Sequence, residues 1–139
     1  MDIVFRLAEI ASAAEKFLAY SLGYKIFTFN GELGAGKTTL INAVCKAMSL
    51  SERVTSPTYS LVQEYETKDK QTIYHMDFYR LNSLEEAIDA GVEEYISSGE
   101  YCMIEWPSKI EQLLPDEIVK SGIFILNDNR RKLVVQLPQ

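Results

Sequence analysis

Nine consecutive residues, Gly31-Glu32-Leu33-Gly34-Ala35-Gly36-Lys37-Thr38-Thr39, fit the pattern G-x-x-x-x-G-K-[ST]. Glycines at 31, 34 and 36 let a backbone turn tightly and approach a ligand with no Cβ in the way. Successive N–H groups can then converge on phosphate oxygens. Lys37 is placed to reach β- and γ-phosphates, and the Thr38 hydroxyl to ligate Mg²⁺. Two carboxylates end later apolar runs: Asp77 after Ile73-Tyr74-His75-Met76, and Glu105 after Tyr101-Cys102-Met103-Ile104. A carboxylate at the end of a neighbouring strand holds Mg²⁺, directly or through water, or orients an attacking water. With Lys37 and Thr38 they specify binding of a Mg²⁺-nucleoside triphosphate, with hydrolysis as the expected reaction.

Four further features lie close to this set in sequence or chemistry. In Val54-Thr55-Ser56-Pro57-Thr58-Tyr59, three hydroxyls surround a proline that ends any regular element. Thr58 is a candidate for sensing a γ-phosphate or the metal, as switch segments do; a Ser/Thr-rich solvent turn is the alternative. His75, the only histidine, shares a strand face with Asp77. It reads either as a structural histidine bonded to a loop or as a group positioning the switch or metal site. Arg80 can pair with carboxylates or face phosphate. Trp106 can cover a nucleotide, join the core or meet a partner.

These residues need strands and helices to hold them. Tyr24 to Phe29 alternates and is rich in β-formers, whereas Thr39 to Met48 places Leu40, Val44, Ala47 and Met48 at helical spacing. Strand, glycine loop, helix is the order the motif requires, and the helix N-terminus adds its own attraction for phosphate. Upstream, Ile3 to Leu7 reads as an edge strand. Ser12 with Glu15 reads as a capping box opening a helix that Gly23 stops. Tyr59–Tyr65 and Gln71–Met76, linked by Thr67-Lys68-Asp69-Lys70, read as an antiparallel hairpin. Ser83 with Glu86 opens another capped helix; Gly91 breaks it before a short helix from Val92 to Ile96. The acidic surface of this region is either solvated or a docking face. The apolar run ending in Glu105 reads as a buried, parallel, central strand, so Glu105 opens onto the sheet edge where open α/β sheets bind ligands. Ser108 to Leu114 reads as a short helix, and Ile123–Leu126 with Lys132–Leu137 as a closing hairpin.

With 139 residues and an apolar fraction of 47%, the chain is expected to form one domain, 1–139, with a substantial core. No run of 18 apolar residues is present, and the N-terminal residues do not resemble a signal peptide. No membrane association is expected, and the cytoplasm is the expected compartment. Cys45 and Cys102 read as buried thiols rather than a bridge. With 20 acidic against 14 basic residues, the net charge of −6 argues against indiscriminate nucleic-acid binding. Arg130-Arg131-Lys132 is the one basic cluster, and reads as a solvated turn.

No Asn-Lys-x-Asp segment is present for guanine recognition, and adenine has no evident reader. A small phosphate-loop kinase remains an alternative, although no arginine-rich lid segment is apparent. A non-catalytic nucleotide-gated scaffold is another. The short chain leaves little room for an acceptor pocket, which favours action on another protein.

Four segments, Gly31 to Thr39, Ser56-Pro57-Thr58-Tyr59, His75-Met76-Asp77-Phe78-Tyr79-Arg80-Leu81 and Ile104-Glu105-Trp106-Pro107, resemble in order and spacing the bacterial TsaE (YjeE) family. That family is the ATPase component of the machinery that makes threonylcarbamoyladenosine in tRNA. The resemblance implies an α/β P-loop NTPase three-layer sandwich, its mainly parallel central sheet extended by antiparallel strands. It implies ATP and Mg²⁺ as cofactors, the loop residues 31–39 and Trp106 at the nucleotide, and Thr38, Asp77 and Glu105 near the metal. Lys37, Thr58, Asp77 and Glu105 are the catalytic candidates. The implied partners are a threonylcarbamoyl transferase subunit and its paralogous companion, with tRNA reached only through them. Glu32 stands where the family more often has Asp, and its side chain is expected to point away from the phosphates.

Overall fold

A computed structural model of the chain describes residues 1–50 and 61–139. In chain order the elements are β1 (Asp2–Phe5), α1 (Ile10–Tyr20), β2 (Ile26–Asn30), α2 (Lys37–Ala47), β3 (Val62–Glu66), β4 (Thr72–Asp77), α3 (Leu84–Asp89), α4 (Val92–Ile96), β5 (Tyr101–Glu105), β6 (Val119–Ile125) and β7 (Arg131–Gln136). Short 3₁₀ segments run over Leu7–Glu9 and Pro107–Leu113.

The strands form one sheet in the order β1-β7-β6-β2-β5-β4-β3. Its centre, β6-β2-β5-β4, is parallel throughout. Antiparallel pairings extend it on both sides, through β7 and β1 at one end and β3 at the other. This is the mixed α/β sheet expected from the sequence. Because β2, β4 and β5 run in the same direction, their carboxyl ends share one edge, and Asp77 stands opposite Glu105 in the register.

Strand β5 shows why its residues before Glu105 are apolar. Met103 joins a cluster with Phe27, Phe29, Leu40, Ile41 and Val44, whereas Cys102 and Ile104 join a second with Ala87, Val92, Ile96 and Ile110. Side chains alternate across a strand, so both faces of β5 are covered, α1 and α2 contributing to one side and α3 and α4 to the other. Cys45 belongs to the first cluster and Cys102 to the second. Both are free, buried thiols, and burial pushes both up to about 12.

Three local expectations are corrected. The first helix is not opened by a box at Ser12: a 3₁₀ turn leads into α1 at Ile10, and the Glu9 carboxylate accepts the Arg6 N–H at 2.9 Å. The segment after Trp106 is a 3₁₀ segment, Pro107–Leu113, kinked at Ile110, rather than a regular helix. Strand β6 begins at Val119, four residues before the apolar run that announced it. Elsewhere the local chemistry holds. Ser83 accepts the Glu86 N–H at 3.3 Å, and the Glu86 carboxylate accepts the N–H of Asn82 at 3.1 Å, one residue before the cap. Gly91 adopts φ 78° between α3 and α4.

Candidate functional site

The loop between β2 and α2 is shaped by its glycines in two ways. Gly36, the residue that caps α2, has φ 104°, and Gly34 has φ 84°; both lie in the left-handed region that side chains disfavour. At Gly31 the constraint is space, because a Cβ there would lie 2.9 Å from the Ile123 carbonyl oxygen. The loop therefore packs against β6 at one end and turns sharply into the helix at the other. The first N–H groups of α2 have no partner within the helix, which makes its N-terminus attractive to anions.

Lys37 begins α2 and is buried, 5% exposed. Its ammonium donates to the carbonyl oxygens of Gly31 and Glu32, the latter at 3.1 Å, and lies 4.3 Å from the centroid of the Trp106 ring. Burial holds the Lys37 ammonium below the usual lysine value, while the Glu105, Asp77 and Glu32 carboxylates pull it upward. The Glu32 side chain is exposed.

Across from the loop stands a hydrogen-bonded series. The Thr38 hydroxyl donates to the Glu105 carboxylate, 3.1 and 3.0 Å from its two oxygens. His75 Nε2 lies 2.6 Å from Glu105 Oε2 in a fully buried contact. With that nitrogen as donor, Nδ1 has no hydrogen-bond partner among the described residues. Among the described residues the one hydrogen-bond partner of the His75 ring is therefore Glu105. His75 fixes the carboxylate of the neighbouring strand. Asp77, half-buried, accepts the Tyr79 N–H at 3.0 Å. Burial raises its carboxyl above the ordinary value. The Tyr79 N–H lowers it, the Glu105 charge raises it, and His75 and Lys37 lower it.

Gly34, Gly36, Lys37, Thr38, Thr39, Asp77, Tyr79, Glu105 and Trp106 line one hollow of about 310 Å³ with Leu33. The structure therefore brings together the loop and both carboxylates, as their positions in the sequence led one to expect, and adds Trp106, whose place the sequence had left open. Among the described residues no three His, Cys, Asp or Glu side chains gather as a metal cage. Arg80 is exposed and does not line this hollow, nor does it make an ion pair among the described residues. Thr58 and its neighbours Ser56, Pro57 and Tyr59 lie outside the described residues.

A second hollow of about 310 Å³ adjoins the other side of the loop. Phe5, Leu7, Ile10, Ala35, Thr39, Ile123, Asn129 and Arg131 line it, and its walls are mostly apolar. Sequence reasoning missed it, and missed the role of Arg131. Arg130 and Lys132 keep to the expected solvated surface, in exposed pairs with Asp128 and Asp2, whereas Arg131 Nε donates to the Ala35 carbonyl oxygen at 3.0 Å. The Arg131 bond joins residues 96 apart, and nothing in local spacing announces it.

Comparison with known proteins adds a family. A family model described as "Threonylcarbamoyl adenosine biosynthesis protein TsaE" matches residues 5–133. Among curated relatives, the tRNA threonylcarbamoyladenosine biosynthesis protein TsaE of Treponema pallidum is 34% identical over 110 residues, 79% of this chain and 80% of its own. The protein of the same name from Rickettsia bellii is 37% identical over 124 residues, 88% of this chain and 85% of its own. The crystal structure of Bacillus subtilis YdiB superposes with a TM-score of 0.74 at 24% identity, over 100% of this chain and 87% of that one.

Proposed function

The chain belongs to the TsaE family, and from that membership we propose that it binds Mg²⁺-ATP and hydrolyses it in support of the transferase complex that makes threonylcarbamoyladenosine in tRNA. The observation that carries the proposal is the Thr38–Glu105–His75 series set against a glycine loop that ends in a buried lysine. A loop of this kind has the properties of P-loop nucleoside triphosphatases, and we assign the fold to that class.

In this reading the backbone of residues 31–39 and the Lys37 ammonium hold the β- and γ-phosphates. The oxygen donors gathered here are the Thr38 hydroxyl and, facing it, two carboxylates, the hard ligands that Mg²⁺ prefers. They do not form a cage, but Mg²⁺ characteristically takes one or two carboxylates together with substrate phosphates, so the set fits. Thr38, Asp77 and Glu105 would hold the ion. Bound there, Mg²⁺ neutralises charge developing on the transferred phosphoryl group. Burial disfavours the charged forms of both Lys37 and Asp77. A polyphosphate and a dication are the complements that oppose those two penalties. His75 holds Glu105 in one orientation, which preorganises the carboxylate for a metal or an attacking water. The apolar hollow beside Ala35 and Thr39 is the natural seat for the base. Thr58 retains the switch role implied by resemblance.

The arginines next to one another, Arg130 and Arg131, are tied to Asp128 and to the Ala35 carbonyl. No arginine-rich lid segment is apparent in the sequence, which weighs against the kinase alternative. The partners we propose are the transferase subunit and its paralogous companion, with tRNA engaged through them. No described helix is long and apolar enough to cross a membrane, and we propose the cytoplasm as the site of action.

Calorimetric titration with ATP and Mg²⁺ tests the site. The Lys37→Ala variant removes a charge-assisted contact of roughly 1.5–3 kcal/mol. Its ATP affinity is expected to fall by about 10- to 100-fold. Equal affinity in the variant and the native chain would rule out the phosphate-loop assignment.

A further inference from the structure

Lys109 stands three residues beyond Trp106, in the 3₁₀ segment that follows β5. A surface lysine ordinarily keeps its ammonium in water. Here the side chain is exposed, yet its ammonium folds back along the surface and donates to two carbonyl oxygens of the turn after β4, that of Tyr79 at 2.5 Å and that of Leu81 at 3.1 Å. It makes no ion pair among the described residues. Its charge is spent on fixing one turn.

That turn is the one attached to the candidate metal carboxylate. The Tyr79 peptide is held at both ends, its N–H by Asp77 Oδ1 at 3.0 Å and its carbonyl by Lys109. The Tyr79 ring lies 5.8 Å from the Lys109 ammonium and 5.0 Å from the Trp106 ring. Trp106 adopts φ 57°, a left-handed conformation uncommon for a bulky side chain, and its ring lies over the Lys37 ammonium at 4.3 Å. A continuous set of contacts thus runs from Lys109 through Tyr79 to Asp77 on one branch and through Trp106 to Lys37 on the other. β4 and β5 are joined by their ladder up to the bond from Phe78 N–H to the Glu105 carbonyl, 3.2 Å; beyond it the buried Phe78 and Leu81 anchor the two ends of the turn, and the exposed Tyr79 between them is held by the contacts named here.

We propose that Lys109 is a positioning residue for the nucleotide reaction, clamping the Tyr79–Leu81 turn so that the Asp77 carboxylate and the Trp106 ring keep their places around the phosphates. The proposal rests on the reading of the site as a Mg²⁺-ATP site. Lys109 does not line the hollow beside the phosphate loop, so ATP binding is expected to be largely preserved without it. What suffers is the alignment of Asp77, and misplacement of a group around the reacting phosphate is costly in rate.

The test compares Lys109→Met, which keeps the aliphatic length without the charge, with Lys109→Arg, whose guanidinium can again donate to two carbonyls. Single-turnover hydrolysis of Mg²⁺-ATP by the full chain gives a maximal rate and a half-saturating concentration. For Lys109→Met the maximal rate is expected to fall about tenfold, with the half-saturating concentration within about twofold of the native value. The arginine variant is expected to recover most of the rate. Trp106 is the only tryptophan, so emission from the free protein reports its surroundings directly. That emission is expected to change in Lys109→Met and return in Lys109→Arg. The proposal is overturned by an unchanged rate and emission in Lys109→Met. It is equally overturned if rate and affinity fall together in step with a lowered melting temperature, which is the behaviour of a purely structural clamp. Lys37→Ala, run alongside, separates the two readings. If it loses ATP binding while Lys109→Met keeps its rate, only the role of Lys109 fails; if it retains binding, the site reading fails and takes the role of Lys109 with it.

Discussion

Glu105 receives the Thr38 hydroxyl and the His75 ring on one carboxylate while facing Asp77 across the register. Such a group is held by its neighbours rather than free to choose a rotamer, which suits a residue that must meet a metal or a water in one orientation. Glu105→Gln keeps the shape and a hydrogen-bond acceptor for Thr38 but removes the charge. Its ATP hydrolysis is expected to fall by about 100-fold, with ATP affinity within a few-fold of native, as measured by single-turnover kinetics and calorimetry on the same preparation. Loss of affinity with no change in rate would instead make Glu105 a binding group. The identity of these residues was legible in the sequence, because the loop pattern and two strand-terminal carboxylates are short-range signals. The partnership of His75 with Glu105 was not, since it joins residues 30 apart and depends on β4 lying beside β5 in one register. The same holds for Arg131 and the Ala35 carbonyl.

At the scale of elements, α1 and α2 form a layer on one face of the sheet, and Phe17 is its centre. The ring is fully buried, with centroids 5.5 Å from Phe27 and 5.7 Å from Phe29 of β2. Phe17→Ala is expected to cost about 3–5 kcal/mol in urea denaturation, because the transfer loss and the cavity add. A cost near zero would mean that α1 does not support β2 as described. Strands and helices with strong periodicity were readable: α2 from Leu40 and Val44, the β3–β4 hairpin, and β5 as a run covered on both faces. Boundaries were less so. Ser12 had the chemistry of a cap, yet the 3₁₀ turn over Leu7–Glu9 starts the helical path earlier, with Glu9 bound to the Arg6 N–H. After Trp106, Pro107 supplies a helical start, but the non-helical backbone at Ile110, buried in the second cluster, keeps the segment from becoming an α-helix. Packing decided there against local propensity.

The molecule as a whole places its chemistry at one sheet edge and carries an excess of acidic residues, with net charge −6. Glu85, Glu86, Asp89, Glu93 and Glu94 are exposed on α3 and α4, which fits a solvated face. An acidic surface is poorly suited to hold tRNA unaided, because phosphate contacts supply much of nucleic-acid affinity. That balance agrees with a protein that acts on tRNA chemistry through partners. The sheet order, with four parallel strands flanked by antiparallel ones, was legible only in outline. The placement of β1 beside β7 brings residues 2–5 to 131–134, and no local pattern encodes that contact.

The most direct measurement is steady-state ATP hydrolysis by the purified chain, alone and with the transferase subunit, its paralogous companion and tRNA, beside the Glu105→Gln variant. Slow turnover alone, a rise of about tenfold or more with the complex, and loss of that rise in the variant are expected. A rate indifferent to the partners, or transfer of the phosphoryl group to a small acceptor, would contradict the proposed function.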